Sequence, residues 1–101
     1  MSEVNVFKLA SSEEIICTVL SEETDHFVIE RAMQVGPQQD AQGMLQLQWM
    51  PFIWTDIEAK KPIKLFKSCV MGQLADFDEK IRKEYITKTS GIVLANAGDI
   101  K

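Results

Sequence analysis

The chain has 101 residues, 46% of them apolar and 26% charged, the usage of one globular domain rather than of a disordered segment. No apolar run approaches the roughly 20 residues that a bilayer-spanning helix needs. The opening MSEVNVFKLA carries Glu3 and lacks a basic start followed by an apolar stretch, so no signal peptide is expected and the cytoplasm is the default compartment. The net charge of −4 is unevenly spread: residues 1–30 hold seven acidic side chains against Lys8, while Lys60, Lys61, Lys64 and Lys67 crowd one later stretch, the candidate basic face.

In chain order, residues 4–9 (VNVFKL) are rich in β-formers and read as a strand, and the small polar residues 10–13 suit a turn. Residues 14–20 (EIICTVL) place Ile15, Cys17 and Val19 on one face and Ile16, Thr18 and Leu20 on the other. A strand apolar on both faces is central or bent around a core. Ser21 to Asp25 is an acidic turn, and residues 26–35 then alternate, with Phe27, Ile29, Met33 and Val35 on one side. Gly36 to Gly43 reads as a polar loop. Residues 44–50 alternate again until Pro51 interrupts pairing, Asp56 to Pro62 is a charged connection, and residues 63–74 read as a last strand.

A helix is expected at about residues 77–88. Asp76 and Glu79 have capping-box spacing, and Phe77, Ile81 and Tyr85 form a narrow apolar stripe that suits packing across an open end of the sheet or against a neighbouring subunit. Residues 92–101 are expected to be a loosely held tail on a single domain of residues 1–91. Five strands joined by connections too short for parallel crossovers imply an antiparallel meander. Strong bending makes it a small, partly open barrel, and SH3-like, OB-like and Sm-like barrels all fit.

The chemistry-bearing residues are few. Cys17 and Cys69 lack metal-ligand spacing and a partnering set of histidines, since His26 stands alone, so both are expected to be buried, reduced packing residues and no metal is expected. His26 beside Asp25 lacks a nucleophile and an orienting third group, and adjacent strand residues point to opposite faces. No glycine-rich phosphate loop is present. The expectation is a protein that is not an enzyme and carries no cofactor.

The segment Phe7 to Ala32 (FKLASSEEIICTVLSEETDHFVIERA), running strand, turn, bent strand, acidic turn, strand, resembles the first motif of the Sm-like family. Asp25-His26-Phe27-Val28-Ile29 is most similar to the bacterial, Hfq-type branch, and Phe66-Lys67-Ser68-Cys69-Val70 is similar to that branch's second motif. Trp49-Met50-Pro51-Phe52 and a helix after the sheet resemble small phage-encoded members. Ser12 and Thr18 stand near two glycines of the family pattern, Ser68 replaces a histidine, and the helix follows the sheet instead of preceding it. The resemblance implies a strongly bent, five-stranded Sm-like barrel that assembles into a homo-oligomeric ring and binds single-stranded RNA. It places the RNA site at His26, Phe27 and Lys67. The alternation makes Phe27 equally a core residue. The alternative is a structural or protein-interaction ring with RNA binding lost, which the acidic first third favours because phosphate repels it.

Overall fold

A computed structural model describes residues 3–89. Glu3–Leu9 (β1) and Glu14–Glu22 (β2) form a hairpin whose polar turn holds Ser12 at φ 88°, a left-handed conformation that glycine adopts more readily. His26–Gln39 (β3) runs beside β2, and Leu45–Pro51 (β4) pairs with its second half, Met33 opposite Pro51 through Gln39 opposite Leu45. Ile63–Phe66 (β5) pairs with the first half of β3, Ile29 opposite Ile63 through His26 opposite Phe66. A 3-10 turn at Lys67–Cys69 leads into Val70–Leu74 (β6), which pairs with β1. Glu79–Thr89 (α1) follows. The strand order is β4-β3-β2-β1-β6, all antiparallel, with β5 on β3. This is the partly open antiparallel barrel with one helix after the sheet, built from six strands rather than five.

The extra strand comes from the 3-10 turn, which splits residues 63–74. Lys67 N–H donates to Asp25 O (2.9 Å) and Ala10 N–H to Cys69 O (2.8 Å), so the turn is pinned to two other turns while the chain crosses from the β3 side to the β1 side. The polar segment 36–39 also proves to be strand, not loop. β2 ends opposite Val35, so Pro37 sits where β3 has a neighbour on one side alone and its missing N–H costs little. The loop itself is residues 40–44, where the Asp40 carboxylate accepts from Gln42 N–H and Met44 N–H, both at 2.9 Å.

Bulges bend the sheet. Leu20 is an extra residue on β2 between Val19 and Ser21, and Arg31 with Ala32 answers Cys17 alone on β3. Arg31 takes φ 56°, which turns the pleat over. Phe27, Ile29 and Ala32 therefore face the inner core with Phe7, Leu9, Ile15, Cys17 and Leu65, whereas Met33 and Val35 face outward. The expected single face of Phe27, Ile29, Met33 and Val35 is corrected accordingly.

The outer face is covered by α1. Tyr85, 1% exposed, packs with Ile16 and Val35, and Phe77 and Ile81 lie against the same cluster beside Val4, Val6, Met33 and Trp49. The stripe holds, but it lies on the outer face of the sheet rather than across an open end. The helix begins at Glu79, and Asp78 Oδ1, accepting from Lys80 N–H at 2.9 Å, caps it in place of Asp76. Among the described residues no helix is long and apolar enough to cross a membrane. The expected tail at 92–101 and the domain end at 91 lie outside the described residues.

Cys17 is buried as expected, and burial pushes its thiol pKa up to about 12. Cys69 is exposed, because it lies in the 3-10 turn rather than in a strand facing a core.

Candidate functional site

The β2–β3 turn and the end of β5 meet at one end of the barrel. Lys67 N–H to Asp25 O ties the two segments, Glu23 N–H donates to His26 O (2.7 Å), and His26 lies opposite Phe66 in the ladder. The three residues selected from the sequence are thus gathered by backbone pairing between segments distant in the chain.

Their side chains differ in what they offer. His26 Nδ1 donates to Asp25 Oδ1 at 2.6 Å, and its ring stands 5.9 Å from Phe66 at an interplanar angle of 58°. That hydrogen bond, with the charge of Lys64 as a smaller contribution, holds the exposed Asp25 carboxyl below its ordinary pKa, so it stays ionised through the neutral range. Lys67 Nζ donates to Glu22 Oε2 at 2.8 Å and stands 5.3 Å from the centroid of Phe27. Phe27 is only 6% exposed and its ring meets Phe7 at 5.0 Å. In the single chain it is a wall of the inner core, with the Lys67 ammonium over its ring.

Phe66 is the aromatic that this end displays, 47% exposed beside His26. Sequence reasoning passed over it as a site residue, although the alternation of β5 carried the signal: with Leu65 buried in the inner core, its neighbour Phe66 must point away. Glu22, which neutralises Lys67, was also missed, because the pairing joins two turns far apart in sequence.

The arrangement suits recognition rather than covalent chemistry. This end offers an exposed aromatic face beside an imidazole, and an ammonium over the Phe27 ring, the imidazole and the ammonium each already partnered by a carboxylate. Among the described residues no group of three or more His, Cys, Asp or Glu side chains is placed to hold a metal. No protein-family model matches the sequence, and no curated protein matches it.

Proposed function

We propose that the chain is an Sm-like subunit that assembles into a ring and binds single-stranded RNA at the rim formed by His26, Phe66 and Lys67. The observation that carries this reading is the convergence of those residues on one end of the barrel, with Phe66 exposed beside His26. An exposed aromatic gives a base a stacking surface and a lysine gives its phosphate a counter-charge. The outer edges of β5 and β6 carry no strand among the described residues, and unpaired edges of this kind are what edge-to-edge assembly covers. Repetition of one weak site around a ring then raises the avidity for a strand.

The test is fluorescence anisotropy of a short uridine-rich RNA in low salt, with the protein's mass measured by light scattering in the same buffer. Binding by an assembled protein, weakened by Phe66→Ala and Lys67→Ala, is the expected outcome. Glu22→Gln, which frees Lys67, should tighten it.

A second reading is a ring that binds proteins instead. The pairing of Lys67 with Glu22 and of His26 with Asp25 favours it, because these carboxylates lie where phosphate would approach. An assembled wild type with no detectable RNA binding in low salt would select this reading.

A further inference from the structure

β4 and β5 lie in line along the same side of β3, and residues 52–62 leave that edge at the Arg31 bulge and return to it. This excursion is internally tied. Phe52 N–H donates to Ala32 O (3.1 Å) and its ring packs against the inner core; Ala59 is buried. The Asp56 carboxylate accepts from the backbone N–H groups of Lys60 (3.3 Å) and Lys61 (2.9 Å). Yet the excursion turns Trp54 and Ile57 outward, 65% and 69% exposed, with exposed Lys60 and Lys61 beside them. A loop braced by its own hydrogen bonds while displaying two large apolar side chains has the composition of an interface core with a charged rim.

The matching surface is on the same chain. The edge strand β6 exposes Met71 and Leu74, and exposed Asp76, Asp78 and Glu79 follow it. Within the excursion Lys60 is ion-paired with Glu58 at 3.0 Å, whereas Lys61 has no ion pair among the described residues. An apolar loop with one open lysine and an apolar, acidic edge suit head-to-tail contact between identical copies. Polarity fixes the positions further. When β5 pairs antiparallel with the partner's β6, its Ile63 end lies beside the end of β6 that Leu74 occupies. The residues just before Ile63 then meet those just after the partner's Leu74.

We infer that residues 52–62 form a clasp on a second copy of this chain, with Trp54 and Ile57 covering the partner's Leu74 and Lys61 facing the partner's Asp76. This rests on the assembly proposed above and adds to it. Backbone pairing alone leaves the register of two edges free, and the clasp selects one register and rejects foreign strands.

Sedimentation velocity of the full chain tests it. Trp54→Ser and Lys61→Glu should each raise the subunit dissociation constant by about tenfold or more, as loss of a buried anchor does. Asp76→Lys added to Lys61→Glu should restore assembly; Asp78 is left alone because it caps α1. Far-ultraviolet circular dichroism of each variant shows that the fold is kept. A monomeric wild type at micromolar concentration overturns both the assembly and the clasp. A wild type that assembles, with variants that assemble equally well or a double variant that is not restored, overturns the clasp alone and assigns Trp54 and Ile57 to a different partner.

Discussion

Tyr85 ties the helix to the sheet through one oxygen. Its hydroxyl donates to Arg31 O (2.9 Å) and shares a 2.8 Å hydrogen bond with Thr18 Oγ1, joining α1, the bulge of β3 and β2. Tyr85→Phe keeps the ring and loses both bonds, so it should cost about 1–3 kcal/mol in urea unfolding, since the Arg31 carbonyl is left without this donor. Burial raises the pKa of Tyr85, as it does that of Cys17. Both groups are neutral when folded and ionise more readily in the unfolded chain, which therefore holds fewer protons in alkali. From neutral pH stability should be flat up to about pH 8.5, where an unfolded thiol is ionising, and should fall more steeply above about pH 10 as unfolded tyrosine joins it. Tyr85→Phe should remove the steeper part, as thermal melts across that range would show. Phe27→Ala should cost about 3–5 kcal/mol as a core deletion, so loss of ligand binding in that variant is uninformative unless folding is shown. The cysteines should separate in a thiol-labelling experiment: Cys69 reacts in the native protein, whereas Cys17 waits for unfolding. Their difference was not legible in the sequence, because both lie in stretches that read as strands and the 3-10 turn that exposes Cys69 left no glycine or proline to mark it.

At the scale of elements, the strand periodicities were readable wherever the pleat ran unbroken, as in β1 and β2. β3 was read in one phase because nothing in Glu30-Arg31-Ala32 announces a left-handed residue; arginine pays for that conformation through contacts made elsewhere, here the Tyr85 bond to its carbonyl. The helix was legible for the opposite reason, since Phe77, Ile81 and Tyr85 repeat at helical spacing. Its docking surface was hidden, because that surface includes Met33 and Val35, which only the bulge brings outward. A chain ending at Leu74 should expose Ile16 and Val35 and melt at least about 10 °C lower, the equivalent of roughly 2 kcal/mol at this size. An unchanged melting temperature would make α1 an appendage. The Ser12 turn gives the reverse prediction: Ser12→Gly relieves a φ of 88° and should stabilise the hairpin by about 1 kcal/mol.

For the whole molecule, short connections and bent apolar strands were enough to anticipate the open barrel, whereas the grouping of His26, Phe27 and Lys67 was expected only through the resemblance. In the structure Lys67 N–H to Asp25 O ties the two segments that carry them. Charge balance was less readable, since the lysine stretch divides between the barrel end, where Lys67 is held by Glu22, and the excursion, where Lys60 pairs with Glu58 at 3.0 Å. The two apolar clusters share one wall. β2 gives Ile15 and Cys17 to the inner cluster and Ile16 to the outer, and it lies between β1 and β3. Neither cluster can open without stripping a face of that strand, so the barrel and its helix should unfold in a single transition. Amide hydrogen exchange would display this as a hierarchy. The β4 ribbon, open along one edge and exposed over most of its length, should exchange first, and the amides of Ile15, Ile16 and Cys17 should report the global opening of the protein.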